Sequence, residues 1–240
     1  MSDNTDKPVA KPALLMTRQS GVSEAFVARL DPALLEGVTV CHSPLLSIDA
    51  IDGDIDTTPF DAVIFTSANG VRFAPDGAGQ TAFCVGARTA DHARRRGWRV
   101  FRVATDADDL VTKMSEVEGR FLHLAGVHRR GDIAGRLGSI GRSVTVQEVY
   151  AQRTLPLCPP AVALLSSNTP VLVPLFSPRT AAQFAQEVSA AQHVHVIAIS
   201  AAVAQALGGA DTSKVHIAAA PTGEEMVRAI EFLLRRKTFA

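Results

Sequence analysis

The residues best placed to do chemistry follow short apolar runs. Val63-Ile64-Phe65 gives way to Thr66-Ser67-Ala68-Asn69-Gly70, and Val171-Leu172-Val173-Pro174-Leu175-Phe176 gives way to Ser177-Pro178-Arg179-Thr180. Small polar residues just past a strand suit a tight turn into a helix. Their hydroxyls and free backbone N–H groups then face outward, where an anion can be held. Ser67, Asn69, Ser177 and Arg179 are therefore candidate binding residues. Gly86 and Thr89 follow Phe83-Cys84-Val85, Gly126 follows Leu122-His123-Leu124, and Ser200 follows Ile197-Ala198-Ile199. All would crowd the carboxyl ends of parallel strands, where open α/β sheets bind ligands. Serine and asparagine also cap helices without any ligand, so plain capping is the competing reading. Tyr150 is the single tyrosine; it suits either packing or proton donation.

The elements that must carry these residues come in two copies. Aligning Ser67 with Ser177 also matches Phe65 to Leu175 and Val63 to Val173. Downstream, Phe83–Ala90 pairs with Val196–Ala204, and Val103–Met114 pairs with Ala218–Ile230. Each member reads as strand, small-residue turn and helix, which predicts a parallel, doubly wound α/β architecture of flavodoxin-like type. The first copy is complete between about Ala62 and Tyr150. The second has only three strands after Pro170, so it needs the amino-terminal strand Ala13–Met16 and the helix after it, expected from Ser20 or Ser23 through Leu30 to Leu34-Leu35. One domain inserted in another is implied. Residues 1–37 plus 154–240 form a discontinuous domain and 49–143 the insert. The extended segments 38–48 and 144–153 cross between them as a two-stranded β-ladder, leaving an expected cleft for a ligand.

Composition bounds the function. Apolar residues make up 47% of the 240-residue chain and formal net charge is zero, which argues against disorder and against bulk binding of nucleic acid or acidic membrane. Cys41, Cys84 and Cys158 lie far apart with no metal-ligand spacing, as expected of a reduced cytoplasm, and Cys84 reads as a core residue. The first dozen residues lack an apolar targeting core, and no apolar run reaches membrane-spanning length. Gly77-Ala78-Gly79-Gln80-Thr81-Ala82 imitates a dinucleotide fingerprint but precedes a strand instead of following one. His193-x-His195 shares one strand face without a third metal ligand, and Arg130-Gly131-Asp132 reads as a helix start. A phosphate-accepting receiver would need acidic residues where Ser67, Gly86 and Ser177 stand.

Together, FTSANGV (Phe65–Val71), VGARTA (Val85–Ala90), LHLAG (Leu122–Gly126), VY (Val149–Tyr150), FSPRTAAQF (Phe176–Phe184) and the opening LLMTR (Leu14–Arg18) resemble uroporphyrinogen-III synthase. HLAGVHRRGD (His123–Asp132) is similar to its alphaproteobacterial branch. The resemblance spans about Ala13 to Leu233. It implies closure of the linear tetrapyrrole hydroxymethylbilane to uroporphyrinogen III, with loss of water and inversion of ring D, on the route to haem, sirohaem and corrins. It implies a hydro-lyase needing no cofactor and no metal, a cytoplasmic monomer, and at most a transient hand-over from the upstream deaminase. The alternative is a non-catalytic two-domain tetrapyrrole-binding or sensor module.

Under that resemblance, eight substrate carboxylates would meet the helix starts together with Arg18, Arg88 or Arg179, whose forks suit carboxylates. Tyr150 matches the family tyrosine that helps the terminal hydroxyl leave. The family's Gly-Pro-x-Thr-like turn is missing: Ser200-Ala201-Ala202-Val203 stands there, and Val203 has no hydroxyl. Ser200 is the substitute donor.

Overall fold

The computed structural model describes residues 12–129, 131–188, 193–208 and 214–236. The chain divides into two compact units, Met1–Ser47 with Thr154–Ala240, and Ile48–Arg153. Each is a sheet covered on both faces, wholly parallel in the first and parallel but for one edge strand in the second.

In the discontinuous unit, β1 (Ala13–Met16) is followed by α1 (Val22–Val27), α2 (Pro32–Leu35) and β2 (Thr39–His42). After the other unit come α7 (Pro159–Leu165), β9 (Val171–Leu175), α8 (Pro178–Glu187), β10 (Val194–Ala198), α9 (Ala201–Gln205), β11 (Val215–Ile217) and α10 (Gly223–Arg236). The strand order is β11-β10-β9-β1-β2, all parallel. One face buries Val173, Phe184 and Val203 beneath α7, α8 and α9; the other buries Leu14, Phe26 and Ile230 beneath α1 and α10. Both faces being dry explains why β1 and β9 read as unbroken apolar runs.

The continuous unit carries β3 (Leu46–Ala50), β4 (Ala62–Phe65), α3 (Ala68–Phe73), β5 (Thr81–Val85), α4 (Ala87–Arg95), β6 (Arg99–Ala104), α5 (Ala107–Met114), β7 (Arg120–Gly126), α6 (Ile133–Ser139) and β8 (Ser143–Thr154). Its order is β3-β8-β7-β4-β5-β6. Strands β4 to β8 are parallel. Leu155 N bonds to Leu45 O (2.9 Å) and Ile51 N to Val149 O (3.1 Å), so residue numbers rise along β3 as they fall along β8, and β3 is an antiparallel edge. In both sheets the order reverses beside the strand that opens a copy: between β1 and β9, and between β7 and β4. Such a reversal is where open α/β sheets commonly place a ligand crevice.

Three sequence expectations change. The single helix through Leu34-Leu35 is broken, because Pro32 cannot continue a helical ladder; Asp31 caps α2 by accepting from Ala33 N at 3.0 Å. Neither Ser20 nor Ser23 is the first cap: Gly21 precedes α1, and Ser23 Oγ instead donates to Arg18 O at 2.9 Å. Residues 39–42 of the expected crossing segment are a strand of the five-stranded sheet, paired residue by residue with β1. Helix α8 ends at Glu187, and residues 189–192 lie outside the described ones. Arg130 does too; Asp132 caps α6, accepting from Gly135 N at 3.0 Å. Cys84 is a core residue whose thiol burial pushes up to about 12.

Gly77 owes its place to packing. Its backbone N–H donates to Arg96 O at 2.7 Å, and a Cβ there would lie 2.5 Å from the Trp98 ring. Trp98 meets Phe65 edge to face at 5.1 Å, fixing the α3–α4 side of the core. Arg96 closes α3, donating to the carbonyls of Arg72 and Ala74 at 2.9 Å each and to Asp76 at 2.7 Å. Gly77→Ala should therefore cost about 2–3 kcal/mol by overpacking, read as a lower urea midpoint with an unchanged slope.

Candidate active site

The carboxyl edge of the six-stranded sheet holds a cavity of about 400 Å³. It is lined by Thr66 and Ser67 after β4, Thr105 and Asp106 after β6, His123 and Gly126 on β7, His128 and Arg129 beyond it, and Tyr150 on β8. It lies across the β7/β4 reversal. Alternation along β7 sends Phe121 and His123 toward α5 and α6, and Leu122 and Leu124 toward α3 and α4. The sheet edge thus receives His123 from one side and Tyr150, which packs with the α3–α4 core, from the other.

Tyr150 is 8% exposed and stacks on Phe73 at 6.0 Å. Its register partner is Gly126, reached through a shift between Ala125 and Gly126. A Cβ on Gly126 would sit 2.5 Å from the ring and 2.9 Å from Oη, so only glycine lets the phenol lie over the end of β7. Ser67 also lines the cavity, and its Oγ accepts from Asn69 N at 3.1 Å, so it caps α3. Asn69 itself, Gly86 at the head of α4, exposed Arg88 and buried Thr89 lie outside the cavity lining.

In the five-stranded sheet, Arg18, Ser177 and Ser200 stand just past β1, β9 and β10, at one carboxyl edge. The Arg18 guanidinium lies over the Phe176 ring at 4.3 Å, spanning the β1/β9 reversal. Ser177 Oγ accepts from Thr180 N at 3.1 Å and caps α8, with Arg179 one step into that helix. Ser200 precedes α9 but makes no capping bond with its side chain. Val203 is buried against the α8–α9 core, where a hydroxyl would be out of place.

Sequence reasoning passed over His123, Thr66, His128 and Arg129. Arg129 Nη1 meets Glu148 Oε1 at 2.9 Å, each about 40% exposed. His123 is 4% exposed, and its Nε2 lies 3.2 Å from Thr66 Oγ1. A histidine inside Phe121-Leu122-His123-Leu124-Ala125 was the available signal: one polar ring in a strand buried on both faces. The turn into α5 has the opposite character. Asp106 caps it, and Asp109 accepts from Thr105 N at 2.8 Å and from Lys113 Nζ at 2.7 Å, which holds its carboxyl below the usual range. His195 stacks on His216 at 6.1 Å, and the described residues contain no group of three or more potential metal ligands.

A pair of doubly wound sheets, each with one strand-order reversal, defines the class. The sequence model described as uroporphyrinogen-III synthase HemD matches residues 32–228, and the chain belongs to the uroporphyrinogen-III synthase family. No curated protein matches it in sequence. Uroporphyrinogen-III synthetase from Helicobacter pylori superposes with a TM-score of 0.66 at 17% identity, covering 92% of this chain and 99% of that one. A mutant uroporphyrinogen III synthase from Thermus thermophilus gives 0.52 at 14% identity, covering 94% and 99%. These likenesses carry the fold; the family match carries the activity. The chain converts hydroxymethylbilane to uroporphyrinogen III in tetrapyrrole biosynthesis. No helix among the described residues is long and apolar enough to cross a membrane.

Burial, and secondarily the nearby Arg129 charge, lower the His123 pKa to about 4. Unfolded, the same ring titrates near about 6.5. Between these values the unfolded chain binds the extra proton, so stability falls as pH drops from about 6.5 to about 4, by at most about 3 kcal/mol. Replacing His123 by leucine should flatten that part of the stability–pH curve, measured by urea melts at successive pH values.

Proposed function

We propose that Tyr150 is the proton donor and that the cavity over Gly126 receives the hydroxymethyl end of the substrate. The observation that carries this reading is the phenol lying across the end of β7 at the strand-order reversal. At about 400 Å³ the cavity suits one end of a four-pyrrole chain, not all of it. The proton from the phenol leaves with the terminal hydroxyl as water, which makes the reaction that of a hydro-lyase. The azafulvene that remains is attacked by the substituted carbon of ring D, giving a spiro intermediate that fragments and recloses with the ring inverted. Uncatalysed closure gives the symmetric isomer, so holding the chain in one bend supplies most of the selectivity.

Carboxylates fall to the donor-rich turns. Ser67, Asn69, Gly86, Arg88 and Thr89 offer hydroxyl, amide, backbone and guanidinium donors in one unit; Arg18, Ser177, Arg179 and Ser200 do so in the other. Arg129 joins the first set by exchanging Glu148 for a substrate carboxylate. Short α3 and α9 contribute individual N–H groups, whereas the ten-residue α8 adds its dipole. Cys41 and Cys158, distant in sequence, lie in contact as thiols, and the reading includes a reduced, cytoplasmic setting that keeps them so. The reading includes a monomer taking its unstable substrate directly from the deaminase.

The test is a coupled assay. Hydroxymethylbilane is generated by its deaminase, this protein is added, and the oxidised uroporphyrin isomers are separated. Isomer III is expected; isomer I alone, with saturable binding, would instead mark a binding module. Tyr150→Phe should lower turnover at least ten-fold while the enzymatic product stays isomer III, and an undiminished rate dismisses the donor role. Gly126→Ala should impair turnover similarly by displacing the ring.

A further inference from the structure

His123 is a polar ring where the fold accepts an apolar one. On β7 it lies between buried Leu122 and Leu124, two residues after buried Phe121, and Ile64 of β4 is its register partner. The other copy supplies a control inside the same molecule. There β1 takes the place of β7 and β9 that of β4, with Ala13 opposite Val171 and Leu14 opposite Leu172. Carrying that register on by two residues sets Met16 opposite Pro174, the counterpart of Ile64. Met16 is fully buried in an apolar cluster. The position corresponding to Thr66 is Phe176. One copy of the fold is thus bridged at its reversal without a buried polar pair, so the Thr66–His123 bond is not a requirement of the architecture.

Burying an imidazole costs free energy that a leucine would not, and one hydrogen bond recovers only part of it. What the bond does is local. Thr66 begins the turn into α3, directly before Ser67, and both of these residues line the cavity with His123. Charge on the ring is opposed by its burial and by Arg129, which makes it a fixed neutral partner for Thr66 and a poor proton carrier. We propose that His123 is a positioning residue: its Nε2 contact with Thr66 Oγ1 locks the turn into α3 so that the Thr66 and Ser67 donors face the substrate in one orientation. This rests on the reading that the substrate end occupies the cavity.

The experiment compares His123→Leu, His123→Gln, Thr66→Val, the Leu/Val double variant and Tyr150→Phe, by thermal melting and by kcat and KM for isomer III. His123→Leu is expected to melt at or above the parent temperature while kcat/KM falls about ten-fold, a size consistent with loosened positioning. Thr66→Val should lose the same factor, and the double variant no more than either single change. His123→Gln, whose amide can reach Thr66, should keep most of the activity. Parent-level kcat/KM in His123→Leu or Thr66→Val overturns the proposal, as does an activity loss that tracks a lowered melting temperature or that adds across the two sites. If His123→Leu fails to fold, Thr66→Val and His123→Gln decide between the same outcomes. Impaired Tyr150→Phe with unimpaired His123 and Thr66 variants sinks this inference alone; all variants at parent level sink the site reading itself.

Discussion

Burial of both faces of each parallel sheet is the constraint from which the rest follows. Helices cover β9, β1, β4 and β7 on either side, so their side chains are almost wholly apolar and fully enclosed. Polar chemistry is driven to the carboxyl edge, where each strand releases its chain into a turn and a helix. The strand order then selects one place along that edge. At β7/β4 and at β1/β9 successive helices leave for opposite faces, and at β7/β4 the edge opens into the cavity.

The two copies bridge that reversal differently. In one, an arginine rests on a phenylalanine ring, leaving a cation over an apolar floor. In the other, a threonine hydroxyl meets a buried imidazole beside a phenol. Neighbouring turns differ as well: the entry to α5 carries Asp106 and Asp109, whereas Arg129, beyond β7, pairs with Glu148.

Much of this was legible in the chain itself. The paired Phe65–Ser67 and Phe176–Ser177 turns, the Gly126 turn and the lone Tyr150 all announce themselves by an abrupt change from apolar to small or polar residues. Periodicity could not disclose which turns share a cavity. That depends on strand order: β4 lies beside β7, 55 residues away in sequence from Phe65 to Arg120, and not only beside β5. Thr66 was hidden by its place one residue ahead of a conspicuous cap. His123 was hidden because one polar residue in a short apolar run does not disturb a strand pattern. The misread helix has a local cause, as Asp31-Pro32 is at once a stop and a new cap, and continuous apolar spacing masked it.

Gly126 and Tyr150 make one last point about inheritance. The ring occupies the volume that any side chain at 126 would need. A lineage that keeps the aromatic residue is bound to keep the bare backbone beneath it, whereas one that abandons the aromatic residue is released from the glycine. Sterically the two positions therefore form a single unit, and a side chain added at one without loss of the ring at the other must displace the end of β8.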